Sequence, residues 1–595
     1  MGTKKLILMA ILVTLSTILI ISVFSQTAED KDWKFPGFDQ YKNNFYHKQS
    51  QINSKNANNL EIKWSWEIPR RNPPITRMTG EIVRGSWASP LVIDGIVYTG
   101  TFDNQFFALD TKTGKEICKN EVPREKINGR AQYSGRGVTY YNNSILMTAA
   151  DCSIYAFELK DCSVKWVFPS TCDNIPGNLG FYTLLNPPVV YKDYLIFENG
   201  GSEFGSRGFI AAYNITTKKL LWRWFTVPPS VEGPKNWDVE AYKGNIKPYK
   251  NDWGNSSEIG GAAVWAWPAI DTENNVLFFG TGNPSPDLNG ATRPGPNLYA
   301  NSVVALNIST GKMLWYYQLT SHDIYDHDIG FSVIFDEIHL NGKKEKVVIA
   351  GGKAGYVLVL RADNGKPIYP PVSVSIHTPG MNDNNPNADL TLESAEGKVV
   401  CQSSNGGIQS SVGLADNIIY AVSQNQCQKM IGSKNITSRN QYYGGKTIDV
   451  GLKENSTLYA IDAPTGKILW SFFMNSTYRK GSATVTGDLV LLGADNGFVY
   501  ILDRNNGRLL FQFKVGPPIG APITVGADSD GKMRIFVPFG SRGRIGRENG
   551  IIALGLKENK FDKINLLIIL VLIVLLAIGF YKFKLSKKQR KKTRK

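Results

Sequence analysis

Gly282-Asn283-Pro284-Ser285-Pro286 and Ser321-His322-Asp323-Ile324-Tyr325-Asp326-His327-Asp328 bracket the part of the chain richest in paired oxygen donors. An amide and a cluster of carboxylates flank a strand–turn–strand unit, Ser302-Val303-Val304-Ala305-Leu306 to Met313-Leu314-Trp315. Hard oxygen ligands held on a rigid sheet suit a hard cation, and a carboxylate beside that cation can remove a proton. Asp326 and Asp328 stand two apart. In extended chain alternate residues share a face, so both carboxylates are expected to point inward together. His322 and His327 are interleaved with them. Imidazole is a poor ligand for such ions, which makes both histidines loop or substrate-pocket residues.

A repeat supplies the elements that would position these groups. A β-rich run ends in a polar turn, and the next strand carries an aromatic four residues after the turn glycine. Leu458-Tyr459-Ala460-Ile461-Asp462 leads through Gly466 to Trp470, Val303 to Asn307 through Gly311 to Trp315, and Val499 to Asp503 through Gly507 to Phe511. Looser copies run from Gly114 to Cys118, Asp161 to Trp166, Lys218 to Trp222 and Gly365 to Tyr369. Glycine supplies positive φ at the turn, and β-branched and aromatic residues fill the strands. Turns recur at roughly 40–55 residues, the size of a four-stranded propeller blade. Two longer gaps are expected to hold an insertion at Pro228–Gly260 and a degenerate blade at Gly406–Val422. The expectation is an all-β, eight-bladed propeller over residues 33–557, closed by pairing Glu61–Ile68 with Gly550–Leu556. The repeated aromatics Trp166, Trp222, Trp315 and Trp470 are packing residues.

With this signature, and with Glu203, Trp265, Asn283, Asp326 and Lys353 in order along the chain, the sequence resembles the pyrroloquinoline quinone (PQQ)-dependent dehydrogenases, eight-bladed quinoproteins that oxidise alcohols and sugars. The resemblance spans roughly Trp33 to Leu556. It implies that Glu203, in Gly200-Gly201-Ser202-Glu203-Phe204-Gly205-Ser206-Arg207-Gly208, and Asn283 are metal ligands. Asp326 is implied as the base that takes the substrate hydroxyl proton during hydride transfer to metal-bound PQQ, and as a further ligand. Asp328 is where lanthanide-using members carry an extra aspartate; membrane glucose dehydrogenases also show Asp-x-Asp, so the ion stays open between Ca2+ and a lanthanide. Trp265 corresponds to the tryptophan beneath the quinone, with Trp267 competing if the register slips. Arg136 corresponds to the partner of a cofactor carboxylate, and Lys353 to the cation beside the quinone oxygens.

Several positions depart from the family. Arg130-Ala131 stands where alcohol-oxidising members have two adjacent cysteines, and Trp87 where a glutamate commonly contacts the cofactor. Leu185 replaces a cofactor-binding hydroxyl, and Gly407-Ile408-Gln409 an Asn-Trp pair. These changes count most against methanol as substrate.

Charge and chain ends add a location. The formal charge is +16, but nine Lys/Arg and no acid fall within Lys582–Lys595, directly behind the apolar run Ile564–Phe580. A span at 564–583 with a cytoplasmic basic tail at 584–595 is expected, and a signal peptide or N-terminal anchor at 1–25. The propeller would then lie on the extracytoplasmic side of the cell membrane. This distribution argues against nucleic-acid binding. The six cysteines form no Cys-x-x-Cys pair, which speaks against zinc and covalent haem; in an exported chain they suit disulfides, with Cys401–Cys427 the preferred pair. Electrons would leave to a membrane quinone, a cytochrome c or a copper protein. The alternatives are a non-catalytic propeller scaffold and an extracellular binding module.

Overall fold

A computed structural model describes residues 30–558 except 76–84, 127–135, 173–174, 176–181, 202–205, 229–251, 255–259, 330–331, 379–396, 434–442, 479–480 and 541–547. Strands dominate, and only two short 3-10 turns interrupt them among the described residues. Eight sheets each contain a four-stranded antiparallel meander, one of them carrying Tyr46–His47 as a fifth strand. The fold is an all-β propeller type. In six of these meanders the first strand is short, as in Val189–Tyr191 or Thr484–Thr486, and fully buried. The last strand is half exposed, as in Leu509–Lys514. This gradient fits wedge-shaped sheets crowded at one edge and open at the other.

The ring closes as the sequence predicts. Leu60–Glu67 pairs antiparallel with Gly550–Leu556, from Leu60 opposite Leu556 to Glu67 opposite Gly550, with a register shift between Ile62 and Trp64. The expected degenerate blade is instead complete: Gly413–Ala415, Ile418–Asn425, Asn455–Asp462 and Ile468–Met474 form one meander. The long gap arises because a separate three-stranded sheet, Lys398–Cys401, Cys427–Gly432 and Gly445–Asp449, contributes two strands between its second and third strands. Most of the expected insertion at 228–260 lies outside the described residues.

The repeated aromatics lock one sheet to the next. Trp64, Trp222 and Trp315 donate their indole N–H to the carbonyls of Thr111, Ile308 and Ala362 at 2.8, 2.6 and 2.9 Å, and the Tyr369 hydroxyl donates to Ala463 at 2.8 Å. Each acceptor lies three residues before a turn glycine: Gly114, Gly311, Gly365 and Gly466. Those glycines have φ between +65° and +73°, and a Cβ on any of them would come within 2.4–2.8 Å of the same ring. Glycine is therefore required twice, for the turn and for the ring laid against it. At one joint the pattern changes chemistry. Cys118 takes the aromatic position after Gly114, Cys162 takes the next turn position at φ +59°, and the two form a disulfide. Cys152–Cys172 and the expected Cys401–Cys427 are the other disulfides.

The expected location is corrected. Among the described residues no helix is long and apolar enough to cross a membrane, so the placement of the propeller against a cell membrane finds no support. The segments that carried that expectation, 1–25 and 564–595, lie outside the described residues.

Candidate functional site

Lys353 is the centre of the charge cluster that the fold assembles. It sits in the tight turn between Lys343–Gly351 and Tyr356–Arg361, where its backbone N–H donates to Asp328 O at 3.0 Å. Its ammonium lies 2.6 Å from Asp326 Oδ1 and 2.5 Å from Asp328 Oδ2. The other oxygen of Asp328, Oδ1, accepts the Asn283 backbone N–H at 2.7 Å and the Trp265 indole N–H at 3.4 Å. Gly282 permits this closeness, because a Cβ there would stand 2.8 Å from Asp328 Oδ1 and 2.9 Å from Ala263 O.

The two aspartates meet for a reason other than the one the sequence suggests. Residues 321–329 are a loop, not extended chain, and Asp326 has φ +64°. Asp323 builds that loop: its carboxylate accepts the backbone N–H groups of Tyr325 and His327, both at 2.8 Å. A non-glycine residue in the left-handed region is held only where its surroundings dictate it. Asn283 is buried, and its Nδ2 donates to Pro284 O at 3.2 Å, which leaves the amide oxygen as the end able to take a cation.

Burial alone would raise the Asp328 carboxyl, but the Lys353 charge and the hydrogen bonds it accepts overcome that and hold it below the usual carboxylate range. Burial alone would likewise lower Lys353; the two aspartates reverse this and raise it well above an ordinary lysine. The cluster therefore holds an ionised Asp328 against a charged Lys353 across the neutral pH range.

Beside it lies an aromatic and cationic wall. Trp265 is only partly buried. The Arg136 guanidinium stands 4.8 Å and the Lys353 ammonium 5.8 Å from its ring, and Arg136 donates to Trp265 O at 2.9 Å. The ring of Trp87, read from the sequence as a departure, lies 5.5 Å from the same guanidinium. Trp267 is buried in the core instead. A partly open indole flanked by two cations suits a flat polyanion such as the tricarboxylate PQQ, and the oxygen donors of Asn283, Asp326 and Asp328 suit a hard cation. Among the described residues no three His, Cys, Asp or Glu side chains form a metal cluster by themselves. The expected fourth oxygen ligand, Glu203, lies outside the described residues.

Both histidines are buried loop residues. His322 Nδ1 is 2.8 Å from Gly295 O and His327 Nε2 is 2.9 Å from Gln402 O. Burial, reinforced by the Arg293 charge, pushes His322 down to about 4, so it stays neutral. Three further residues were given no role by the sequence reading. Arg293 is fully buried behind the loop. Tyr443, on the three-stranded excursion, donates to Ser404 Oγ at 3.1 Å; its hydroxyl is raised by burial and then by the Asp326 charge, which places it near that aspartate. Glu198 is buried with one oxygen accepting from Asn186 Nδ2 at 2.6 Å and the other finding no partner among the described residues.

Comparison with known proteins identifies the family. A family model described as "Glucose/ethanol/alcohol dehydrogenase, beta-propeller domain" matches residues 33–385, and one described as "Outer membrane protein assembly factor BamB" matches 453–553. The chain is 28% identical to the quinoprotein alcohol dehydrogenase PedH of Pseudomonas putida, covering 85% of this chain and 86% of that protein. It is 26% identical to a lanthanide-dependent methanol dehydrogenase of Methylorubrum extorquens, covering 85% and 86%. The crystal structure of the quinohemoprotein alcohol dehydrogenase of Comamonas testosteroni superposes with a TM-score of 0.75 at 25% identity, covering 90% of this chain and 82% of that one. Since the first model spans more than half of the sequence, the chain belongs to the PQQ-dependent alcohol dehydrogenase family of β-propellers.

Proposed function

We propose that the protein oxidises an alcohol at the Asp326–Asp328–Lys353 cluster, with Asp326 as the base and each four-stranded meander serving as one of eight blades. Family membership implies PQQ and a Ca2+ or lanthanide ion as cofactors. Bound PQQ would supply the acceptor for the two electrons of the alcohol. Glu203, Asn283, Asp326 and Asp328 would hold the ion through oxygen, and Trp265 would carry the planar ring with Arg136 pairing to a carboxylate. Asp326 takes the hydroxyl proton on a carboxylate oxygen. Lys353, 2.6 Å from that carboxylate, leaves positive charge where an oxyanion would develop. Electrons then pass to an external acceptor, since the sequence contains no Cys-x-x-Cys-His motif.

The observation that carries this reading is the single ammonium within 2.6 Å of both aspartates, beside an indole that faces two cations. The test is reconstitution with PQQ and either Ca2+ or La3+, followed by dye reduction with a series of primary and secondary alcohols. PQQ-dependent dye reduction with at least one alcohol is expected, accompanied by quenching of tryptophan fluorescence on cofactor binding. PQQ that leaves fluorescence unchanged with either ion would refute the assignment.

A further inference from the structure

The loops that bring Asn283 and Asp326 together meet directly through the Ile329 N–H to Thr281 O bond at 3.1 Å and the Asn283 N–H to Asp328 Oδ1 bond at 2.7 Å, and a buried guanidinium joins them a second time, farther along each loop. Arg293 Nη2 donates to Pro286 O at 2.9 Å and to Asp323 O at 2.5 Å. Pro286 lies three residues beyond Asn283. Asp323 begins the turn that carries Asp326 and Asp328, and its carboxylate caps that turn. One nitrogen therefore fixes both ligand-bearing loops at once. Its companion Nη1 donates to Asn297 Oδ1 at 2.5 Å. Asn297 is braced in turn by Asp252, whose Oδ1 accepts the Asn297 backbone N–H at 2.5 Å and whose backbone carbonyl accepts Asn297 Nδ2 at 3.1 Å.

Arg293 has no solvent exposure. A guanidinium removed wholly from water costs several kcal/mol unless its fork is well paired. Here the pairing is largely to carbonyl oxygens of two loops, so the charge is spent on geometry more than on a simple ion pair. A lysine could supply the charge but not a planar fork with donors in fixed directions. Selection between hard cations of equal charge rests on cavity size and rigidity. A strut between ligand-bearing loops controls both.

Resting on the reading of this cluster as an ion site, we propose that Arg293 is a positioning residue: it fixes the separation of the Asn283 loop and the Asp326 turn, and so sets which ionic radius the oxygen cage accepts. It touches neither substrate nor cofactor.

The test uses the full chain with Tb3+ as the probe. Tb3+ luminescence sensitised by tryptophan reports occupancy, and displacement by La3+ and by the smaller Lu3+ gives a radius preference independent of turnover. Wild-type protein is expected to bind Tb3+ and to distinguish La3+ from Lu3+. Arg293→Lys is expected to weaken Tb3+ about tenfold and to bring the La3+/Lu3+ ratio close to one. Asn297→Ala leaves both carbonyl bonds of Nη2 and removes only the brace, so it is expected to shift the ratio in the same direction by less. It also serves as the measure should the lysine variant not fold. In Arg293→Ala, added guanidinium is expected to restore part of the preference. An unchanged La3+/Lu3+ ratio in a folded Arg293→Lys or Asn297→Ala, even with a lower Tm, would reduce Arg293 to a structural residue and overturn the inference while leaving the ion site intact. Wild-type protein that binds no Tb3+, Ca2+ or La3+ would instead remove the ion site, and the inference with it.

Discussion

The joints between sheets and the charge cluster around Lys353 are built by opposite rules. At four joints one solution recurs: an aromatic side chain donates to a carbonyl three residues before a glycine against which its ring lies. The charge cluster occurs once, with Asp326 and Asp328 from one loop and Lys353 from another. Repetition makes a ring that tolerates local variety, whereas the single site depends on a few distances. Damage at a joint should therefore appear as lost stability with chemistry intact, and damage in the cluster as the reverse.

The largest separation is expected from Asp326→Asn. The amide is nearly isosteric but cannot take a proton, so kcat for alcohol oxidation should fall about 10²–10⁴-fold. Thermal unfolding should move little. A comparable loss of Tm would mean that Asp326 is a structural residue, and the contrast would fail at its first point. The complementary change is Trp315→Ala. It deletes a buried indole and its bond to Ala362, and should cost about 3–5 kcal/mol, read as a shift in urea midpoint. Activity per folded molecule should stay near wild type.

The unequal legibility of the two regions follows from the same rules. Period and composition exposed the turn glycines and Trp222, Trp315 and Trp470 because each recurs at a fixed offset. Ring closure between Leu60–Glu67 and Gly550–Leu556 followed from requiring the last sheet to be completed. Asn283, Asp326 and Asp328 stood out by type and spacing as oxygen donors, Trp265, Arg136 and Lys353 were legible only through resemblance, and all six gather in one place. Their geometry was not legible. Alternation pointed to a shared strand face, but the loop brings the aspartates together through a left-handed residue capped by Asp323. Arg293 acts through burial and carbonyl partners and Glu198 through burial beside an amide donor, and neither leaves a periodic trace.

Glu198 sharpens the comparison through pH, because it is a buried ionisable group close to the cluster but outside the repeat. Burial raises it from 4.5 to about 8, and the Asn186 hydrogen bond and Arg136 only partly oppose this. Below about 8 the folded protein keeps the acid protonated, while the unfolded chain releases the proton above about 4.5. Unfolding therefore releases a proton across that window, and stability falls as pH rises through it, by on the order of 3–5 kcal/mol in all, then levels off once the folded state ionises too. Glu198→Gln has no proton to release. Urea midpoints of the two proteins measured from about pH 5 to 8 should diverge steadily, with the variant gaining on wild type as pH rises. Parallel profiles would show that Glu198 is ionised in the folded protein despite its burial.

The smallest and most discriminating effect concerns the joint that uses sulfur. Cys118 and Cys162 occupy the positions that hold an aromatic and a turn glycine elsewhere, and a disulfide spans them. If the two solutions are equivalent, the joint can be converted. Cys118→Ser with Cys162→Ser should lose about 2–4 kcal/mol, since both the cross-link and the packing disappear. C118W with C162G should recover a substantial part of that loss: glycine relieves the φ of +59° now borne by a cysteine, and the indole gains a surface to lie on. Neither double variant should alter kcat, because the joint lies in the repeat and not in the cluster. Recovery requires both changes together. With C118W alone the indole meets the side chain of Cys162 and has no room to lie flat, and with C162G alone the small side chain of Cys118 has nothing to pack with. A double variant no more stable than the serine pair would mean that the recurrent joint depends on its own surrounding sheet, and that the ring is less modular than its period implies.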